Sequence, residues 1–423
     1  MWWQTAGHLD VKENRLFIGG LSAEALAKQF GTPLFVYNGD RIVENFRAIR
    51  AAFAEQGAKP RIHYAVKANS RLALLRLLQK EGAFVDAVSP NEVELALRAG
   101  FSRERVLFTG TSVSDDELRQ LIEAGVVINI DSFSQMRRMK GLGFKGRASI
   151  RWNPGFGAGA HSHTITAGKF IKFGIPESQI ESAFLQAKAM GLDIVGLHQH
   201  IGSGWLGEDV DVFLETAGKT IAVAEKAERI LGKRLEFVDF GGGPGIRYRQ
   251  EQVAFPLEKY AKGIVSKMNA SGLKAGIAIE PGRSIVGDAG VLLCEVNTVE
   301  EKNVPVIGVN SGFNNLIRPA FYGSFHEIVV CGNVNGVCTK KFLVAGNLCE
   351  SGDVFNENRE TLRELPVPNE KDIIAILNAG AYGFEMGSNY NSRGLPACVL
   401  VCGGKASLIR ERQCLEDILR GEK

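Results

Sequence analysis

The sequence predicts an α/β protein: a (β/α)8 barrel of the TIM type over residues 33–281, joined to a mostly antiparallel β domain made of residues 1–32 and 282–423. Two observations carry this. Between residues 33 and 281, short apolar runs alternate with amphipathic stretches without interruption. After Gly282 the helical periodicity fades and short β-rich runs take over. A length of 423 residues accommodates two such domains.

The strand candidates of the first part are PLFVYN, RIHYAVKA, FVDAVS, VLFTG, VINID, ASIRWNP, IVGLHQHIG, EFVDFGGG and GIAIEPG. Between them, Asp40–Gln56, Arg71–Glu81, Asn91–Ala99 and Asp115–Ala124 carry apolar residues at i, i+3 and i+4, the spacing of an amphipathic helix. A doubly wound open sheet is the rival arrangement; the unbroken run of repeats favours the barrel. The second part reads as strands in VLLCEVNTVEEK, VPVIGVN, EIVVCG, KKFLVAG, DIIAILN, ACVLVCGG and ASLIRER, and RLFIGG near the N-terminus offers a further strand to it.

Composition excludes several classes. The chain is 45% apolar and 23% charged, with a net charge of +3 that is spread rather than blocked, so neither nucleic acid nor an anionic membrane is expected as a partner. No run reaches the roughly 18 apolar residues of a membrane span, and the N-terminus lacks the pattern of a signal peptide. Seven cysteines are scattered, odd in number and without a CxxC pair, so neither a disulfide framework nor a metal site is expected, and a reducing cytoplasm is the default location.

Barrel enzymes carry their chemistry at the C-terminal ends of the strands, and seven motifs with unusual residues stand out. Lys67 closes the apolar run of HYAVKANS, where it is either a solvated lysine or an amine for Schiff-base chemistry. HQHIGSG places His198, His200 and Ser203 after a strand; a metal pair lacks acidic partners at ligand spacing, and an imidazole stacked on a flat cofactor beside a phosphate loop fits better. In FVDFGGGPG the strand runs into Gly241, Gly242 and Gly243, whose backbone N–H groups suit one phosphate rather than a dinucleotide; a glycine-rich turn without a ligand is the alternative. IAIEPGR ends a strand on Glu280, followed by Gly282 and Arg283; the glutamate is placed to pair with a pyridinium nitrogen or with the arginine.

The remaining three lie in the β-rich part. Arg318 and Tyr322 sit in NLIRPAFYGSFHEI, where the guanidinium is a fork for a carboxylate or a member of a surface ion pair. Cys349, Glu350 and Asp353 sit in LCESGDVF, an acid–base pair or a packed thiol. Tyr382 lies between glycines in AYGFEMGSNYNSRGLPA, where its hydroxyl can reach a phosphate. Together these are what pyridoxal phosphate requires of a protein: an amine, a stacking ring, an anion cup, a partner for the ring nitrogen and a grip on a carboxylate.

In order and spacing the motifs resemble the alanine-racemase-fold, ornithine-decarboxylase-like enzymes that use pyridoxal phosphate. VKAN, HIGSG, GGGPG and EPGR mark that wider group. NLIRPAFYGSFHEI, LCESGDVF and AYGFEMGSNYNSRGLPA, with NPGFGAGAHSHTITAGKFIKFGI, are similar to the diaminopimelate decarboxylases over nearly the full length. The resemblance implies a carboxy-lyase that converts meso-2,6-diaminopimelate to L-lysine and CO2, closing lysine biosynthesis. It implies that Lys67 carries the cofactor and His200 stacks on its ring. Ser203, Gly241, Gly242, Gly243 and Tyr382 surround the phosphate, with Gly282 and Arg283 near it, and Glu280 pairs with the pyridine nitrogen. Arg283, Arg318, Tyr322 and Tyr382 bind the substrate, Cys349 donates the proton to the carbon that loses CO2, and Glu350 recognises the distal amino end. It also implies a homodimer in which the Cys349–Glu350 loop enters the neighbouring subunit's site. Two departures are Asn347, where the family usually has proline, and Glu327, where a histidine is expected. The competing functions are a decarboxylase for D-ornithine, D-lysine or carboxynorspermidine, and an amino-acid racemase of the same barrel type.

Overall fold

A computed structural model describes residues 1–157, 166–168, 170–207 and 209–423. Part of the NPGFGAGAHSHTITAGKFIKFGI stretch lies outside the described residues. The chain forms two compact units: Asn45–Ile246 with Val253–Ser284, and Met1–Glu44 with Arg247–Gln252 and Ile285–Lys423.

The first unit is a closed barrel of eight parallel strands: Arg61–Ala65, Phe84–Ala87, Val106–Phe108, Val127–Ile130, Arg147–Asn153, Asp193–Gln199, Phe237–Asp239 and Gly276–Ile279. Each pairs with the next, and the eighth closes on the first through Ala278↔Arg61 and Ile279↔Ile62. The strands are apolar runs because helices cover their outer face while side chains fill the inside. The turns entering three successive helices are fixed by serine caps. Ser89 Oγ accepts from the Glu92 N–H, Ser132 Oγ accepts from Gln135, and Ser114 forms a reciprocal capping box with Glu117. These caps fix the links that follow the second, third and fourth strands.

The second unit is a mostly antiparallel sheet with two parallel pairings, and a separate three-stranded sheet at the N-terminus, Leu9–Lys12, Arg15–Ile18 and Leu21–Ser22. That N-terminal segment packs into the core of this unit through Trp3, Leu9, Leu16 and Ile18. One strand departs from the sequence reading. Leu34–Asn38, counted with the barrel from its apolar run and the amphipathic helix Gly39–Ala54 after it, lies in this second sheet, antiparallel to Gly290–Glu301 and parallel to Ala397–Cys402. All five of its residues are buried, because a strand central in any covered sheet has the same apolar run as a barrel strand. The barrel's own eight strands begin with Arg61–Ala65.

Candidate active site

In the barrel unit, Lys67 lies two residues past the first strand, in the short turn Val66–Ala68. Its Nζ donates to Asp86 Oδ2 at 2.7 Å, and its side chain is about one-third exposed. Asp86, from the second strand, is wholly buried, and its other oxygen accepts from the Thr109 hydroxyl. Burial works to raise the Asp86 pKa, but the Lys67 ammonium and these hydrogen bonds hold the carboxylate below its usual range.

His200 follows the sixth strand. The Gly202 N–H points at its Nδ1 at 3.2 Å, and the Thr166 hydroxyl lies 2.7 Å from the same nitrogen. Burial, then the nearby positive charges of Lys67 and Arg151, push this histidine well below its ordinary value, so it is a neutral ring suited to lie flat on another ring. Gly241, Gly242 and Gly243 follow the seventh strand and pack against the loop that carries His200 and Ser203. A Cβ at Gly242 would collide with the Glu280 carbonyl oxygen, and one at Gly243 would lie 3.1 Å from the Gly202 carbonyl oxygen. The two loops are stitched by Gly204 and Trp205 N–H groups that donate to the Gly243 carbonyl at 2.9 and 3.0 Å. The Gly241 N–H donates to Asp239 Oδ1 at 2.9 Å, and Asp239 is braced by His63 Nδ1 at 3.0 Å. Only glycine permits this approach, and Gly241 at φ +69° needs the left-handed region as well.

Glu280 lies just past the eighth strand. Its Oε2 is 3.2 Å from His198 Nε2, while its Oε1 is buried with no hydrogen-bond partner among the described residues. Burial raises the Glu280 pKa, Asp86 and Asp239 add to that, and His198 opposes it. Gly282 packs against Ala65 and Ala68, and Arg283 is buried at the start of the short helix that follows.

In the second unit, Arg318 is buried at the start of the helix Arg318–Tyr322. Its Nε donates to His326 Nε2 at 3.3 Å and its Nη2 to Ser324 Oγ at 3.2 Å, and the guanidinium lies over the rings of Tyr248 and Tyr322 at 5.4 and 5.8 Å. Cys349 and Glu350 are exposed on a loop tied by Asp353, which accepts from the Leu348 and Phe313 N–H groups at 2.8 and 2.7 Å. The Cys349 N–H donates to Asn391 Oδ1 at 2.7 Å. Tyr382 is half-buried and holds a left-handed backbone at φ +55°, the kind of strain that collects at functional positions. Glu327 accepts from the Trp2 indole N–H at 3.2 Å and lies 3.6 Å from Arg363.

Sequence reasoning missed Asp86, Asn129, Asp239, Trp205, His326 and Asn391. It also found no acidic partner for the HxH pair at ligand spacing. The fold supplies two from other strands, since His198, Asp239 and Glu280 place polar atoms within 4.8 Å of one another. One signal was present: Asp86, Asn129 and Asp239 are lone polar residues inside apolar strands, and in a barrel these point inward.

Residues 39–287 match the family described as pyridoxal-dependent decarboxylase, pyridoxal binding domain. The diaminopimelate decarboxylase of Methanothermobacter thermautotrophicus is 44% identical over 98% of this chain and 97% of its own. The chain belongs to the diaminopimelate decarboxylase family. Among solved structures of this family, that of M. jannaschii in co-complex with L-lysine has a TM-score of 0.90 at 31% identity, covering 99% of both chains. That of Helicobacter pylori complexed with L-lysine has a TM-score of 0.86 at 35% identity, covering 94% of this chain and 98% of its own.

The cofactor of this decarboxylase family is pyridoxal phosphate, and the barrel residues fit it. Lys67 offers the amine. The orphaned Glu280 Oε1 is a buried acceptor awaiting a donor such as a ring N–H. The Trp205 indole N–H is a buried donor without a partner among the described residues, and it lies beside the Gly243 turn.

Proposed function

We propose that the chain decarboxylates meso-2,6-diaminopimelate to L-lysine and CO2, with Lys67 carrying the cofactor. The observation behind this is the pair of electrostatic ends inside one barrel: an amine held by Asp86, and a buried glutamate with one unpartnered oxygen. Bound pyridoxal phosphate supplies an electron sink for the charge left on the carbon that loses CO2. The chain supplies the rest. Neutral His200 packs on the ring, Glu280 accepts from the ring nitrogen, and Ser203, the Gly241–Gly243 turn and Tyr382 receive the phosphate, with Gly282 and Arg283 beside it. Arg283, Arg318 and Tyr322 take the carboxylate of the substrate's far end, and Glu350 takes its amino group. Binding energy at that end orients the scissile bond at the other. Cys349 then delivers a proton to the carbon that has lost CO2.

Cys349 and Glu350 are exposed on their own unit, which suits a loop that completes a partner's site in a homodimer. None of the seven cysteines is in a disulfide, which suits the proposed reducing cytoplasm. Among the described residues no helix is long and apolar enough to cross a membrane. The test is product analysis with meso-diaminopimelate and D-lysine as rival substrates. L-lysine with stoichiometric CO2 from the first supports the reading. Preferential turnover of D-lysine, or epimerised substrate without CO2, overturns it.

A further inference from the structure

The barrel interior holds a chain of polar side chains to which the roles above assign nothing. Ser149 on the fifth strand, Asn129 on the fourth and His198 on the sixth are wholly buried. Ser149 Oγ lies 2.6 Å from Asn129 Oδ1, Asn129 Nδ2 lies 3.1 Å from His198 Nδ1, and His198 Nε2 lies 3.2 Å from Glu280 Oε2. The direction of the chain is set at the serine. A buried hydroxyl needs an acceptor for its hydrogen, and Asn129 Oδ1 is the acceptor at hand. The amide NH2 therefore faces His198, so Nδ1 accepts. The proton of a neutral imidazole must then sit on Nε2, against Glu280.

We propose that His198 is a positioning residue for the cofactor's ring nitrogen: held as the Nε2–H tautomer by Ser149 and Asn129, it ties down one Glu280 oxygen and presents the other to that nitrogen as an anion.

The surroundings show why Glu280 needs such a donor. Asp86 and Asp239 both face it and oppose a third negative charge, and Tyr260 and Arg151 are also within electrostatic reach of it. Asp86 has Lys67 and Thr109 as donors, and Asp239 has His63 and the Gly241 N–H. Glu280 has His198 alone among the described residues, and its Oε1 is left over. A flexible buried carboxyl could turn that oxygen away or take up a proton; a donor fixed on Oε2 prevents the first and disfavours the second.

The inference rests on the reading that pyridoxal phosphate is bound, and its test separates the two. Holoenzyme with 15N-labelled histidine is read by solid-state NMR, with His198 assigned by its loss in His198→Gln. We expect an unprotonated Nδ1 and a protonated Nε2 in the wild type. A proton on Nδ1, or on both nitrogens, overturns the proposal, and this measurement needs no variant to fold. Holoenzyme reconstituted with ring-15N pyridoxal phosphate gives the second readout. The nitrogen should be protonated in the wild type, shift toward the unprotonated position in His198→Met, and return in His198→Gln, whose amide can donate at the same place. The kcat of His198→Met should fall roughly tenfold or more with KM little changed. A ring nitrogen still protonated in His198→Met overturns the proposal. The cofactor reading fails separately, by a wild-type enzyme that binds no pyridoxal phosphate.

Discussion

The proposed grip on the substrate's far carboxylate depends on a histidine that touches no substrate in that scheme. His326 is wholly buried, and its Nδ1 lies 2.8 Å from the Leu377 carbonyl. A carbonyl only accepts, so the hydrogen sits on Nδ1 and Nε2 is left to receive Arg318 Nε at 3.3 Å. Replacing His326 with alanine strips a buried guanidinium of an acceptor. Hydrogen bonds to charged groups are worth about 1.5–3 kcal/mol, so kcat/KM on meso-diaminopimelate should fall roughly tenfold to a hundredfold. Arg318→Ala, which removes the fork itself, should cost about 2–4 kcal/mol. In the Arg318→Ala background, His326→Ala should add less than about 0.5 kcal/mol, because the two act as one unit. His326→Gln, which restores an acceptor, should recover most of the loss. The assay is CO2 release from meso-diaminopimelate and from D-lysine, which lacks the far carboxylate. Equal losses on both substrates, or additive losses in the double variant, would refute the reasoning.

Four further outcomes follow from the same structure. Borohydride reduction of the yellow enzyme should leave a pyridoxyl group on the peptide containing Lys67, and Lys67→Ala should be colourless; label on another lysine contradicts the assignment. Asp86 is held below its ordinary carboxylate value of 3.8, so its contribution to stability is complete above that pH and drains away as pH falls through the lower folded-state value. Asp86→Asn should therefore flatten the acid limb of a denaturant-stability profile of cofactor-free protein, and an unchanged limb counts against the Lys67 pairing. Gly242→Ala forces a methyl against the Glu280 carbonyl and to 3.3 Å from His200 Nε2, so cofactor affinity measured by equilibrium dialysis should drop at least tenfold, by roughly 1.4 kcal/mol or more. Mixing inactive Lys67→Ala and Cys349→Ala chains under subunit exchange should restore about a quarter of full activity if Cys349 serves a partner's site; no recovery, with exchange shown to occur, rules that out.

Much of the barrel was legible because its signal is local. A parallel strand covered on both faces is a continuous apolar run, and a helix behind it shows its apolar stripe at i, i+3 and i+4, as in Pro90–Arg98 and Asp115–Ala124. The glycine triplet was legible for a similar reason: Gly241 to Gly243 stand where a side chain would meet another loop's backbone. Pairing is not local. Leu34–Asn38 and the helix behind it form a flawless strand–helix unit in sequence, and nothing in their periodicity says that the strand's neighbours are Val291 and Val399 rather than barrel strands.

The polar interior was hidden for a different reason. His198 gains Glu280 across 82 positions, His63 gains Asp239 across 176, and Lys67 gains Asp86 across 19. Motif spacing could rank Lys67, His200 and Glu280 as chemistry-bearing, but it could not say which carboxylate is already spoken for. The structure can. Burying a carboxylate is costly unless its lone pairs are met, and among the three inward acids Asp86 and Asp239 each have donors on both oxygens. Glu280 alone keeps a bare oxygen, in the place where burial and two like charges should have selected against it. A fold that satisfies Asp86 and Asp239 and leaves Glu280 half-met is not poorly built at that point; on the proposed reading, the missing donor is the part a ligand brings.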